Sequence, residues 1–295
     1  MSKGILCSVM ASCLFAVMYF YTSLLAPLDG EEIFGWRTLL TLPCLTLFML
    51  ASKDWKRVGD LLARVRQTPL LLLGMVGTSW LMGVQLWLFL WAPLHGRSLE
   101  VSMGYFLLPL AMVLTGRLVY GERLSRLQKV AVSCAALGVG HELYQHGSFA
   151  WETLLVMVGY PIYFVLRRRC RTDHLGGLWC DMCLLLPWAL YFVIQGPLSG
   201  ADLHDHPGLY GLIPLLGAIS ASALIAYVLA SRLLPFSLFG LLSYVEPVLL
   251  VGVALLLGET IGPDQWLTYL PIWGAVLVLV LEGFKHLLRQ RRRAV

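Results

Sequence analysis

Long apolar runs alternate with short polar connections along the whole chain. Ten of these runs reach about 20 residues, the length a helix needs to cross a hydrocarbon core of about 30 Å. The ten predicted spans cover residues 4–25, 32–51, 69–91, 99–119, 125–144, 149–166, 175–195, 208–231, 235–257 and 265–287. The pattern predicts an all-α integral membrane protein.

The charges in the connections indicate which side of the membrane each connection faces. Twenty of the 22 lysines and arginines lie near the N-terminus, in alternate connections or in the C-terminal tail. The other connections carry mainly Asp and Glu, and their one basic residue is Arg97. Because cytoplasmic connections are enriched in Lys and Arg, both termini are predicted to be cytoplasmic.

Two stretches of the chain resemble each other. They are GYFLLPLAMVLTGRLVYGE at 104–122 and GLLSYVEPVLLVGVALLLGE at 240–259. Pro109 lies twelve residues before the first Gly-Glu pair, and Pro247 lies eleven before the second. A mid-helix proline frees a backbone carbonyl, which hydrocarbon tolerates only where neighbouring helices or a cavity satisfy it. Pro109 and Pro247 are therefore predicted hinges, and such paired broken helices indicate a transporter's binding site.

The repeat divides the chain into two halves, 1–144 and 145–295. Each half holds five predicted spans. Because five is an odd number, the second half must enter the membrane in the opposite orientation to the first. The sequence thus predicts two inverted five-helix repeats, the second ending in a basic cytoplasmic tail, and no separate soluble domain.

Composition excludes several classes of protein. Hydrophobic residues make up 58% of the chain, charged residues 13%, and the mean hydropathy is +0.75, outside the range of soluble domains. The net charge of +5 falls in short clusters that membrane orientation explains, so no nucleic-acid partner is predicted. No GxSxG, HExxH, P-loop or dinucleotide sequence occurs. The sequence predicts neither an enzyme nor a cofactor or metal site.

Ionisable residues inside predicted spans are functional candidates because their insertion is costly. Glu246, directly before Pro247, is predicted to be a proton-titrating carboxylate or a counter-charge for a substrate amine, or else a neutral carboxyl against the freed carbonyl. Arg37 could bind a substrate carboxylate or pair with Glu100. For Asp181, function and hydrogen bonding between helices are equally favoured.

Aromatic and amide side chains are the second group of candidates. An aromatic box binds amphipathic or cationic small molecules by stacking and cation–π contact, whereas aromatic residues at span ends usually form an interfacial belt. The predicted substrate contacts are Trp80, Gln85, Tyr105, Tyr160, Tyr163, Tyr227 and Tyr244.

Three motifs carry a resemblance that extends over nearly the full chain. They are Gln85-x-Trp87-x-Phe89-x-Trp91, then Leu99-Glu100-x-Ser102-x-Gly104-Tyr105-Phe106-x-x-Pro109, then Gly121-Glu122-Arg123. With the inverted halves, they resemble the drug/metabolite transporter superfamily, EamA type, and within it the RarD branch. The sequence departs from many RarD sequences at Gln85, where they have asparagine, and at Glu246, where they have a small residue.

The resemblance implies a multi-pass exporter of the bacterial cytoplasmic (inner) membrane that works by alternating access between the halves. The superfamily includes exporters of amino acids and of opine-type metallophores. The basic Arg37 with the acidic Glu100, Asp181 and Glu246 favours such an amino-acid-like or zwitterionic metabolite, and a multidrug or amphenicol exporter is the alternative. The expected partners are the small-molecule substrate, the lipid bilayer, protons as coupling ion and an envelope efflux system downstream.

Overall fold

The structure, a computed structural model, consists of helices and their connections. It describes residues 2–121, 125–146, 150–196, 206–234, 242–263 and 265–293, and no strand occurs in these ranges. Glu122 and Arg123 of the first Gly-Glu motif, and the beginning of the second repeated stretch at 240–241, lie outside the described residues.

The helices follow the hydropathy pattern closely. A 3-10 turn, Thr22–Leu25, follows the first helix. The helices are α1 (Ser2–Tyr21), α2 (Gly30–Ala51), α3 (Lys56–Gln67), α4 (Leu70–Leu94), α5 (Ser98–Tyr120), α6 (Arg126–His146), α7 (Trp151–Cys170), α8 (Leu175–Gln195), α9 (Leu209–Leu233), α10 (Val245–Leu256) and α11 (Trp266–Arg293).

Six of the described helices are long and apolar enough to cross a bilayer. They are α1 with its 3-10 turn, α2, α4, α5, α8 and α9. The apolar parts of α10 and α11 are shorter. An all-helical integral membrane protein is therefore confirmed, whereas the ten spans and their inverted repeat remain predictions.

Helix α3 was not among the predicted elements. It occupies the basic connection after α2, where Val58 and Leu61 are buried and Lys56 and Arg66 are exposed. Apolar residues three apart form one face of a helix, and this face packs against α4 and α8. The pattern is too short and too charged for a membrane span, so a search for long apolar runs overlooks it.

The two predicted hinges differ in the structure. Pro109 lies inside α5, as predicted. Pro247 does not lie in mid-helix, because α10 begins at Val245 and the proline falls in its first turn. Backbone N–H groups in the first turn have no intrahelical acceptor, so Pro247 there frees no carbonyl. The predicted mid-helix position of Pro247 is therefore wrong, and its role as a hinge stays a prediction.

The described helices pack into two compact units. The first unit comprises Met1–Ser12, Arg97–Pro161 and Leu229–Val295, and the second comprises Cys13–Gly96 and Ile162–Val228. Each unit takes segments from both halves of the sequence. These packing units are thus a different division from the sequence repeats 1–144 and 145–295, which remain a prediction.

The core of the first unit is formed by α5, α6, α10 and α11. Small residues on α6 and α11, such as Ala131 and Ala275, allow bulkier side chains such as Phe106 to pack closely. At the contact of α5 with α7, a Cβ on Gly104 would come within 2.7 Å of the Cβ of Val156. Only glycine fits that approach.

The second unit is built around contacts of α8 with α2 and α4. A Cβ on Gly35 of α2 would lie 2.7 Å from the carbonyl oxygen of Ala189 on α8. Small residues at such crossings let helices approach closely in a membrane, where dispersion contacts replace the hydrophobic effect. This packing holds the polar residues of α2, α4 and α8 inside the unit.

Helices α2 and α8 begin with side-chain caps. At α2 the carboxylate of Asp29 accepts from the Glu32 N–H at 2.8 Å, and the Glu32 carboxylate accepts from the Asp29 N–H at 3.2 Å. This capping box satisfies two otherwise unpaired donors. At α8 the ring nitrogen Nδ1 of His174 accepts from the Gly177 N–H at 3.2 Å. Only an unprotonated Nδ1 can accept that bond.

We expect the His174 cap to make the stability of the fold depend on pH. Burial, and then the charges of Arg167 and Arg57, lower the pKa of His174 from its ordinary 6.5. The unfolded chain therefore binds the proton at higher pH than the folded one, so stability is full above about pH 6.5 and falls as the pH drops below that value. Thermal unfolding of the purified protein at about pH 7.5 and about pH 5.5 measures the effect.

His174→Asn is the matched variant, because asparagine caps helices but does not titrate. The variant should melt near the wild-type temperature at the higher pH, and its melting temperature should fall less than that of the wild type on acidification. An equal acid-induced loss in both proteins would contradict the assignment.

Candidate functional site

The predicted site residues divide between the two units. The second unit holds Arg37, Trp80, Gln85, Tyr163, Asp181 and Tyr227. The first unit holds Glu100, Tyr105, Tyr160, Tyr244 and Glu246. The contacts of each group are described within its own unit.

Arg37 is the most deeply buried cation of the second unit. The residue is 2% exposed. Its Nε donates to Ser220 Oγ of α9 at 2.9 Å, and its guanidinium carbon lies 5.8 Å from the ring centre of Phe89 on α4. A buried charge is stable only where nearby groups compensate its lost hydration. Arg37 thus connects α2 with α4 and α9 through polar and cation–π contacts.

A narrow gap lies next to the Arg37 guanidinium. It is bordered by Arg37, Thr38, Thr41, Leu86, Met182, Ser220 and Leu224, and it has no room for a water molecule in this conformation. In the described part of the chain, the buried hydroxyls of Thr38 and Thr41 have no hydrogen-bond partner. Leaving a buried hydroxyl unsatisfied costs about 1–3 kcal/mol. A guanidinium beside hydroxyl donors is a donor set suited to a carboxylate.

Asp181 is bound from α4. The residue is 1% exposed, and its Oδ1 accepts from the Thr78 hydroxyl at 2.8 Å. The Ser79 hydroxyl donates to the backbone oxygen of Asp181, also at 2.8 Å. The second carboxylate oxygen, Oδ2, lies 3.6 Å from Nη1 of Arg167. Both predicted roles of Asp181, function and hydrogen bonding between helices, are compatible with this arrangement.

Arg167, near the end of α7, forms hydrogen bonds with the backbone of the connection between α7 and α8. Its guanidinium donates to the Tyr163 hydroxyl at 2.5 Å, to the Thr172 carbonyl oxygen at 3.0 Å and to the His174 carbonyl oxygen at 2.9 Å. Tyr163, predicted as a substrate contact, is thus a partner of Arg167. The interaction could not be read from the sequence, because it depends on how the chain turns after α7.

The remaining predicted residues of the second unit lie apart from the gap. Trp80 is 57% exposed, which places its ring outside the packed interior of the unit. Gln85 is buried on α4, one position before Leu86 of the gap. Tyr227 is half-buried, with its ring centre 6.2 Å from that of Phe15 in an edge-to-face contact.

The first unit brings Tyr105 and Tyr160 together. Their hydroxyl oxygens are 2.9 Å apart, so α5 and α7 share a hydrogen bond there. Tyr244 is buried in the core, and its hydroxyl has no hydrogen-bond partner among the residues described. Glu246 is also buried, in the first turn of α10.

Glu100 pairs with Arg97, whereas the sequence had offered Arg37 as a candidate partner. Nη1 of Arg97 lies 2.9 Å from Glu100 Oε1. The same guanidinium binds Glu152, at the start of α7, through contacts of 2.5 and 3.0 Å. Its hydrogen bond with Glu152 is the main cause that raises the pKa of Arg97. Arg97 therefore keeps its charge at any physiological pH.

Glu259 completes a group that we call the Arg97 cluster: Arg97, Glu100, Glu152 and Glu259. The Glu259 carboxylate accepts from the backbone N–H groups of Ser98 and Leu99, each at 2.8 Å. The glutamate of the second Gly-Glu pair thus caps α5, the helix of the first repeated stretch. Sequence reasoning missed this cluster, although Arg97 was the one basic residue in its class of connections.

Removing Arg97 should destabilise the first unit. Arg97→Gln leaves the carboxylate of Glu152, whose side chain is 1% exposed, without its cation. Breaking a fully buried ion pair costs about 3–5 kcal/mol. Because 38% of the Arg97 side chain is exposed to solvent, we expect about 2 kcal/mol after screening. Thermal unfolding of the purified variant measures the loss, with Arg66→Gln at an exposed position as control.

Glu152→Gln added to Arg97→Gln tests the cause of the loss. If the loss comes from an unpaired carboxylate, the double variant regains part of the melting temperature. An Arg97→Gln protein as stable as wild type, or a double variant less stable than the single one, would contradict the assignment.

Comparisons with known proteins identify the family of the chain. No protein-family model matches the chain. The chloramphenicol-sensitive protein RarD of Pseudomonas aeruginosa is 45% identical over 294 residues, 99% of this chain and 98% of its own. An uncharacterized transporter of Pasteurella multocida is 42% identical over 290 residues, 98% of this chain and 99% of its own.

A solved crystal structure agrees at the level of the fold. It superposes with a TM-score of 0.58 over 96% of this chain and 98% of its own, at 20% identity. Several relatives are named as transporters, including the one of Pasteurella multocida, and the chain has several helices that can cross a membrane. The chain therefore belongs to the RarD family of multi-pass membrane transporters.

Proposed function

We propose that this transporter exports a small amino-acid-like or zwitterionic metabolite across the bacterial cytoplasmic membrane by alternating access. Opine-type metallophores, which carry several carboxylates and amines, belong to this substrate class. The proposal includes ten spans in two inverted five-helix repeats, with both termini in the cytoplasm. An inward proton gradient would supply the energy.

The observation that carries the proposal is the environment of Arg37. A buried guanidinium faces a gap bordered by Thr38, Thr41 and Ser220, and two of these hydroxyls have no hydrogen-bond partner among the described residues. Such donors are costly for a folded protein to bury. They become an advantage when a carboxylate enters, because every donor then gains an ionised acceptor.

A zwitterion also brings an ammonium group, which needs a negative charge. Asp181 is a buried carboxylate of the same unit and directly precedes Met182, which borders the gap. A neutral drug would use neither buried charge. The presence of both charges in one unit favours a substrate with charges of both signs.

Untargeted mass spectrometry of cells tests the proposal, because it detects a transported metabolite whatever its identity. Cytosol and spent medium are compared for cells that lack the protein, cells that overproduce it and cells that overproduce Arg37→Gln. We expect a carboxylate-bearing amine to accumulate inside the first and outside the second, and the Arg37→Gln cells to resemble the first. No difference in any metabolite, in ordinary or metal-starved growth, would contradict metabolite export.

Thr41→Val is expected to weaken transport without lowering stability. The hydroxyl it removes has no partner in the described protein, so its loss costs the fold nothing. If that hydroxyl donates to the substrate carboxylate, KM rises about tenfold, equivalent to about 1.4 kcal/mol and similar to one hydrogen bond to a charged group. Transport of the identified metabolite in membrane vesicles gives KM, and thermal unfolding gives stability.

Thr46→Val is the control on the same helix. The Thr46 hydroxyl accepts from the Trp179 indole N–H at 2.8 Å and donates to the Leu42 carbonyl oxygen at 2.8 Å. Its loss should lower the melting temperature and leave KM unchanged. A Thr41→Val protein with wild-type KM would remove Thr41 from the proposed site.

The alternative function is export of amphenicol-type drugs. The name of the relative in Pseudomonas aeruginosa, chloramphenicol-sensitive protein, favours it. It predicts higher drug resistance on overproduction, and the same resistance with Arg37→Gln, because a neutral drug has no carboxylate. Unchanged inhibitory concentrations across a drug panel would exclude this alternative.

A further inference from the structure

The Thr78 hydroxyl has two acceptors within reach and one proton to donate. Its oxygen lies 2.9 Å from the carbonyl oxygen of Met75, one turn earlier on α4, and 2.8 Å from Oδ1 of Asp181. A hydroxyl donates a single hydrogen bond but can accept others. At any moment, therefore, the Thr78 hydroxyl donates either to the Met75 carbonyl or to Asp181, and the protonation state of Asp181 selects between them.

Both protonation states of Asp181 are satisfied by a rotation of this hydroxyl. When Asp181 is ionised, Thr78 donates to Oδ1, while Oδ2 faces Arg167 at 3.6 Å without a hydrogen bond from the described residues. When Asp181 is protonated on Oδ1, the acid donates to Thr78 Oγ1, and the Thr78 proton turns to the Met75 carbonyl. No heavy atom has to move.

Loss of the negative charge does not leave Arg167 without acceptors. Its guanidinium already donates to the Tyr163 hydroxyl and to the carbonyl oxygens of Thr172 and His174. The contact with Asp181, at 3.6 Å, is longer than a hydrogen bond. The ion pair with Arg167 therefore stabilises the Asp181 carboxylate only weakly, and binding of a proton to Asp181 can take the place of this ion pair.

The other titratable groups near Asp181 come from every element around it. From α4 it meets the uncharged hydroxyls of Thr78 and Ser79. The charged and titratable neighbours that interact with Asp181 are Arg167, Tyr163 and Cys170 of α7 and Cys180 of α8. Arg57 and Arg64 of α3 and Asp173 interact with His174 before α8, and Asp173 also interacts with Arg167. Among them Arg167 is the cation in direct contact with the carboxylate.

We propose that Asp181 binds the proton that this transporter exchanges for its substrate, with Thr78 as the rotating hydrogen-bond partner. Binding of one proton converts the carboxylate to a neutral acid, and its release restores the negative charge that the substrate ammonium needs. Proton and substrate thus compete for one carboxylate. This inference rests on the proposed export function, and it makes Asp181 rather than Glu246 the coupling residue.

Infrared difference spectroscopy tests proton binding without any substrate. The purified protein is titrated with acid, and the C=O stretch of a protonated carboxylic acid is followed. We expect a band that is absent in Asp181→Asn, retained in Thr78→Ser, and shifted in frequency in Thr78→Val, which cannot accept the bond. A titrating band that persists unchanged in Asp181→Asn, or that does not respond to Thr78→Val, would overturn the proposal.

Transport in proteoliposomes tests coupling. An imposed proton gradient should drive uphill movement of the metabolite identified in cells, and Asp181→Asn should reduce this at least tenfold. Any downhill movement that remains in Asp181→Asn should no longer depend on pH. Asp60→Asn, at an exposed position on α3, is the matched control and should behave as wild type.

The two experiments separate the two proposals. If the wild-type protein moves no metabolite at all, the export function fails, while the infrared band still decides whether Asp181 binds a proton. If the wild type is driven by the gradient and Asp181→Asn is driven equally well, the coupling role fails and export stands. Loss of gradient drive in Glu246→Gln with its retention in Asp181→Asn would likewise overturn the assignment.

Discussion

Charged side chains inside an apolar helix bundle must find their partners within the protein, and this constraint governs the structure. Water is excluded from the packed interior, so each buried charge is costly unless a counter-charge or hydrogen bonds compensate it. Arg167 is matched by Asp181, the Tyr163 hydroxyl and backbone carbonyls, and Arg97 by two glutamates. These pairings decide which helix ends and connections are held together in each unit.

The gap beside Arg37 bears on function. Arg37 donates to the Ser220 hydroxyl and faces the ring of Phe89. Among the described residues, the buried hydroxyls of Thr38 and Thr41, which border the gap, have no hydrogen-bond partner and can still donate. A protein that needed only stability would gain by replacing such groups with apolar ones. Their presence is explained if a ligand completes them during the transport cycle.

Hydropathy was sufficient to predict six helices of the described chain that are long and apolar enough to cross a membrane, and the proline inside α5, because span length is a property of local sequence. The orientation indicated by the charge bias stays a prediction. Hydropathy did not predict α3, because charged residues are interspersed among the apolar ones over its twelve residues. It also put Pro247 in mid-helix, because an apolar run does not reveal where a helix starts. The sequence offered Arg37 as one candidate partner of Glu100, whereas the structure pairs Glu100 with Arg97, and it did not identify Glu259 as the cap of α5. Partner choice depends on which helices meet in space, and no local pattern encodes that.

The most direct measurement is the thermal stabilisation of the purified protein by a series of amino acids, their methyl esters and the corresponding decarboxylated amines. We expect the amino acids with a free carboxylate to raise the melting temperature of the wild type, and the esters and amines to leave it unchanged. Arg37→Gln should abolish this difference. Equal stabilisation by esters and acids, or stabilisation that survives Arg37→Gln, would contradict a carboxylate site at Arg37.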